Sequence, residues 1–405
     1  MEWNATNPYI NGSLMLTLAD RQRIAERYNF VTDSCESRLC MRKHYLDHVR
    51  WATVVTVVIY HVFYMYNAEG VAGGLGKITN CSVQYYDVIL YLVHPWIMPV
   101  LFIVSGICSR YYLDTHTSEE FIKSRTTKLM VPSTIGLFVF QFIQGYVNMS
   151  LGGAFESMAG VPGFVLYMIM AASGIGVLWY IQLLWVFSMG LILIRKIEKD
   201  RLWKKGENTN LLILILLVLV IFVMEQIGNT PVIVVYRFGL YGTCFLFGYF
   251  IFSHDAVMEE LKKNALLLAV TAIVLEAAFS VLYFGKNYAD APVNRTFLFA
   301  GCAWFSSLAI LGLAAKYADG SNAFTEWMNR HSFGLYMFHY LGISSVALFL
   351  GKPGKVPASL VYVLSLAAGF LSGFLLFEVI SRIPFFRWAV LGITGKNGRG
   401  KKHVS

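Results

Sequence analysis

The chain has 405 residues, of which 57% are hydrophobic and 14% charged, with a formal charge of +9 and a mean hydropathy of +0.56. Soluble domains carry about 25% charged residues, so this composition excludes an ordinary soluble enzyme. The Lys and Arg recur between apolar runs rather than in one block, which points to membrane orientation and away from nucleic acid.

Residues 1–42 read as a polar cytoplasmic arm, with a short helix expected across Leu16–Tyr28 and no apolar core of a signal peptide. Beyond it, apolar runs fall near 51–67, 87–108, 129–149, 175–194, 209–227, 232–252, 265–284, 296–315, 332–350 and 359–381. Each approaches the roughly 20 residues a span needs. The expected fold is therefore all-α and polytopic, with about ten transmembrane helices over residues 43–392 and a basic cytoplasmic tail at 393–405. The stretch Phe164–Gly174 is too short to cross. With the N-terminus inside, only Lys77, Arg237, Lys286, Arg295, Lys352 and Lys355 of the 33 Lys and Arg fall outside, and both termini are cytoplasmic. The six cysteines form neither a disulfide framework nor a metal-ligand spacing, and they read as small buried hydrophobes. A metal-free site is expected.

Ionisable groups inside a span are costly and tend to be functional. In the first run, HYLDHVRWATVVTVVIYHVFYMY, His61 follows Arg50 by eleven residues. At 100° per residue both leave the same helix face, separated by roughly 16 Å of rise. A fixed cation at the rim and an imidazole deeper in suit a long anionic donor whose phosphates stay at the rim while its reactive end reaches inward. The same pair also fits a positive-inside flank and a helix-to-helix hydrogen bond. His94, Glu225, Arg237, Glu276, His339 and Glu378 are further intramembrane polar groups. Glu225 and Arg237 flank one turn and are expected to pair. Arg110, Lys123, Arg125 and Lys128 form a rim cluster, either an inner-loop charge bias or a second phosphate clamp.

Five segments in order resemble the membrane acyltransferase family 3, O-acyltransferases of saccharides and related acceptors. They are the Arg50-x10-His61 pattern, MPVLFIVSGICSR (Met98–Arg110), KSRTTKLMVPS, GVLWYIQLLW (Gly176–Trp185) and SFGLYMFHYLG (Ser332–Gly342). The opening HYLDHVRW and the ending from Phe377 resemble the branch that succinylates periplasmic glucans. The family's Arg-x-x-Arg stands here as Arg125-x-x-Lys128, and lysine lacks the bidentate fork. The resemblance implies a multi-pass protein of the plasma (inner) membrane, moving an acetyl or succinyl group from cytoplasmic acyl-CoA to a hydroxyl. His61 would be the base, or a transient acyl carrier. Arg50, Arg125, Lys128 and Arg110 would hold CoA. Tyr336, His339, Trp179 and Glu378 would line the substrate pocket. A transporter without CoA binding, using Glu225, Arg237 and Glu276 as a relay, and a catalytically silent sensor are the rival readings.

Overall fold

Inside hydrocarbon every backbone N–H and C=O has to be bonded within its own segment, so the apolar runs wind into helices. The computed structural model describes residues 43–229 and 235–394. The expected N-terminal arm, its expected helix and nearly all of the expected basic tail lie outside the described residues. The helices, in chain order, are α1 (His44–Met65), α2 (Val88–Leu113), α3 (Ser118–Leu151), α4 (Gly163–Ser173) and α5 (Trp179–Glu198). There follow α6 (Arg201–Gly206), α7 (Leu211–Gly228), α8 (Phe238–Phe250), α9 (Asp255–Lys263) and α10 (Ala265–Tyr283). The last are α11 (Phe297–Tyr317), α12 (Ala323–Val346), α13 (Ala358–Arg382) and α14 (Pro384–Leu391).

Eight of these segments are long and apolar enough to cross a membrane. Two of the expected ten fall outside that set for different reasons. At 22 residues α1 has the length, but Arg50 and its histidines dilute its apolar character. At 13 residues α8 is short. The short 164–174 stretch forms α4, an 11-residue helix packed on the end of α3.

Central and peripheral helices differ in how much protein covers them. In α2 56% of the spanning residues are buried and in α11 67%, whereas in α7 only 22% are and in α13 28%. Leu212, Leu216, Leu219, Val223 and Ile227 of α7 are exposed, as residues facing hydrocarbon should be. At the centre α2 and α8 touch backbone to backbone. A Cβ on Gly106 would lie 2.1 Å from the Phe245 carbonyl oxygen, and one on Gly248 would lie 2.1 Å from that of Ile103. Small residues at such crossings let helices associate where no hydrophobic effect drives them together.

Two features of the long helices position the site. α3 is interrupted by π-helical turns at Thr126–Met130 and Leu137–Gln141. The first lies just ahead of Pro132, whose missing N–H removes the α-type bond to the Lys128 carbonyl. The second feature is α1 itself, which meets α2 through Arg50, α12 through His61 and α13 through Val58 against Gly369. The described residues from Tyr45 onward form one compact unit.

Candidate active site

The Arg50 end of α1 gathers positive charge. The Arg50 guanidinium donates to Asp47 Oδ1 at 3.1 Å and to Cys108 Sγ at 3.2 Å. From α3, Arg125 donates to Ser109 Oγ at 2.9 Å and lies 5.0 Å above the Phe121 ring. Arg125 is within electrostatic reach of Arg50, Cys108 and Tyr180, and Lys128 within reach of Arg125. Among the described residues neither Arg125 nor Lys128 has a carboxylate at ion-pair distance. Three cations from two helices thus converge, and among the described residues Asp47, bonded to Arg50, is the one carboxylate at ion-pair distance, an arrangement that favours phosphate. A recess of about 410 Å³, lined by His116, Arg195, Lys196 and Lys199, adds charge beside the start of α3.

Arg110 is not part of this cluster. Its guanidinium bonds Asp114 at 2.9 Å and Asp200 at 2.6 Å, donates to the Tyr249 hydroxyl at 3.3 Å and stacks 3.9 Å from the Trp203 ring. Cys108 and Ser109 face Arg50 and Arg125, but Arg110 leaves α2 about 100° further round and is turned towards Asp114, Asp200 and Tyr249 instead. Asp114, four residues on, was the sequence signal for this local pairing.

From the cations a seam of side-chain contacts leads through α2, α5 and α12 to His61. Ser109, which holds Arg125, donates to the Ser105 carbonyl one turn back at 2.7 Å. Ser105 Oγ and the Tyr180 hydroxyl are 3.0 Å apart, and the Tyr180 ring meets the Tyr336 ring edge-on at 5.8 Å. Three residues past Tyr336 is His339, fully buried, with Nε2 3.1 Å from His61 Nδ1. Each imidazole also bonds a carbonyl of its own helix: His61 Nδ1 to Val57 at 2.9 Å, His339 Nδ1 to Leu335 at 2.9 Å and to Tyr336 at 3.0 Å. Sequence reasoning missed Cys108, Ser109 and Tyr180, although all three sit inside segments it had singled out.

Beyond His61 the chain folds back as a glycine strap. The rings of Tyr60, Tyr64 and Tyr340 stand 5.3, 5.7 and 5.2 Å from the His61 ring. Tyr340 donates to the Gly73 carbonyl at 3.0 Å, and Tyr64 donates to that of Ala72. Gly70, Gly73 and Gly76 have positive φ (71°, 101° and 85°), the left-handed region that favours glycine.

The other expected site residues make contacts of their own. Tyr336 donates its hydroxyl to the Val177 carbonyl, which ties α12 to the start of α5. Trp179 stacks on Tyr241 of α8 at 5.5 Å. Glu378 accepts from His331 at 3.0 Å and pairs with Arg382 at 3.1 Å, so its basic partners are on α12 and its own helix. The expected Glu225–Arg237 pair does not form. Arg237 donates to His94 Nε2 and to the Ala289 carbonyl, each at 3.1 Å, while both Glu225 oxygens are buried without a hydrogen-bond partner. Glu276 accepts from Ser306 Oγ at 2.8 Å. No bonded relay links the three groups.

No curated protein and no solved structure matches this chain. The acyltransferase domain family, acyltransferase family 3, matches residues 43–380, the whole span from α1 into α13 that carries the cation cluster, the seam and the two facing histidines. A match over that much of the sequence, on helices of this length and apolarity, places the chain in acyltransferase family 3 and makes it an integral, multi-pass membrane acyltransferase.

Proposed function

We propose that this enzyme is an O-acyltransferase that takes its acyl group from acyl-CoA at the Arg50 end of α1 and passes it to a hydroxyl near His61. The observation that carries the reading is the seam itself. Phosphate-binding cations stand at one end, a histidine pair at the other, and hydroxyl-bearing side chains connect them over a rise of about 16 Å. Arg50, Arg125 and Lys128 hold the phosphates, with the Arg50 end facing the cytoplasm of a plasma membrane, where acyl-CoA is made.

At the far end His61 removes the proton from the acceptor hydroxyl as its oxygen attacks the thioester carbonyl. The carbon–sulfur bond breaks as the ester forms. The proton taken by His61 goes to the departing CoA thiolate, so the ring returns to its starting state and no other reactant is consumed. Acetyl and succinyl are the acyl groups the sequence resemblance suggests, and a saccharide hydroxyl the acceptor.

Acyl-CoA binding to purified protein in detergent tests this. A lost charge-assisted hydrogen bond costs about 1.5–3 kcal/mol, so Arg50→Ala and Arg125→Ala should each weaken binding of acetyl-CoA or succinyl-CoA by about ten- to a hundred-fold. His61→Ala should bind as wild type does and lose transfer. Failure of the folded wild-type protein to bind either thioester would overturn the reading.

A further inference from the structure

The two facing histidines leave only one consistent placement of their protons. Backbone carbonyls accept and never donate. His339 Nδ1 lies 2.9 and 3.0 Å from the carbonyls of Leu335 and Tyr336, so that nitrogen carries the ring's hydrogen and Nε2 presents a lone pair. His61 Nδ1 faces this lone pair at 3.1 Å and the Val57 carbonyl at 2.9 Å. Both neighbours are acceptors, so His61 is protonated at Nδ1 and shares that hydrogen between them. The lone pair of His61 is then on Nε2, the nitrogen that makes neither of these bonds.

We propose that His339 is the positioning residue of the reaction: its Nε2 fixes His61 in the tautomer whose Nε2 is free to take the acceptor proton. This inference rests on the assignment of His61 as the base. When His61 Nε2 accepts that proton, the imidazolium keeps its Nδ1 hydrogen aimed at the His339 lone pair, which stabilises the new charge without any second proton transfer. When the proton passes on to the CoA thiolate, the starting tautomer is restored. Hydrolases place a carboxylate behind their histidine for this purpose. A neutral imidazole performs the same orientation inside a membrane helix without the cost of an ionised carboxylate at that depth. The carbonyls one turn back on α12 hold the His339 ring still, and full burial keeps water from competing for its Nε2.

The test reads the tautomer directly. Protein carrying ring-¹⁵N histidine, with the His61 signals identified by their loss in His61→Ala, should show His61 protonated at Nδ1 and bare at Nε2. His339→Gln places an amide oxygen near the lost Nε2 and should keep that pattern, whereas His339→Leu should redistribute it between the two nitrogens. Release of CoA thiol from acetyl-CoA or succinyl-CoA, with glucose as the hydroxyl probe, should fall about ten- to a hundred-fold in kcat for His339→Leu. KM for the thioester should stay unchanged, and His339→Gln should recover most of the rate. A wild-type His61 protonated at Nε2, or an unchanged tautomer in His339→Leu, would overturn the role of His339. Full activity in His61→Ala would instead sink the assignment of the base.

Discussion

Arg50 and Arg125 show how much one helix period can disclose. Their residue types, and the eleven-residue step from Arg50 to His61, were legible because a regular helix maps spacing directly onto direction. The partner of His61 was not. His339 lies 278 residues away, and nothing in a single sequence says that α12 packs on that face of α1. Arg110 shows the opposite, since its nearness in sequence to the other cations hid a different facing. At this scale Cys108 offers a probe. Half-exposed and bonded to Arg50, its thiol should react with a maleimide in the empty enzyme, and free CoA should slow that reaction at least several-fold. Peptide mapping separates Cys108 from the exposed Cys81. Equal labelling with and without CoA would place the CoA site elsewhere.

Among the elements, the crossing of α2 and α8 leaves no room for a side chain. Overpacking costs about 1–3 kcal/mol, and here the obstacle is backbone that cannot rotate away. Gly106→Val or Gly248→Val should lower the melting temperature of the detergent-solubilised protein markedly, while Gly190→Ala, with open space around its Cβ position, should not. The helices themselves were readable as apolar runs because length and hydropathy suffice. The π-turn at Thr126–Met130 was not, because a wider turn leaves no mark on composition, although Pro132 marked the neighbourhood. The loop joining α1 to α2 carries a pH response. The Glu69 carboxyl is pushed up to about 7, first by burial and then by Asp87 beside it. A carboxyl raised in the folded state favours folding in full below its ordinary value of about 4.5, and that contribution is lost as the pH rises through about 7. The wild-type protein should therefore lose more melting temperature between pH 5 and pH 8 than Glu69→Gln does. Parallel pH profiles for the two proteins would contradict this.

For the molecule as a whole, the distribution of Lys and Arg gave an orientation from sequence alone, and the enzyme can be asked directly. Cys81, in the exposed loop between α1 and α2, should be labelled by a membrane-impermeant thiol reagent added to intact cells, and a cysteine introduced at Lys204 should not. The reverse pattern would invert the orientation. That loop also contains the glycine strap beyond His61, tied by the hydroxyls of Tyr64 and Tyr340. In the proposed mechanism, the acyl-CoA thioester beside His61 would be open to attack by water as well as by the acceptor. On that reading a tied strap would restrict attack to an acceptor able to displace it. Tyr340→Phe keeps the ring but unties one knot, and it should raise acceptor-independent loss of acyl-CoA relative to productive transfer. On the proposed mechanism, the fidelity of transfer, counted as esters made per thioester consumed, would depend on the two phenols that tie this loop as well as on the chemistry at His61.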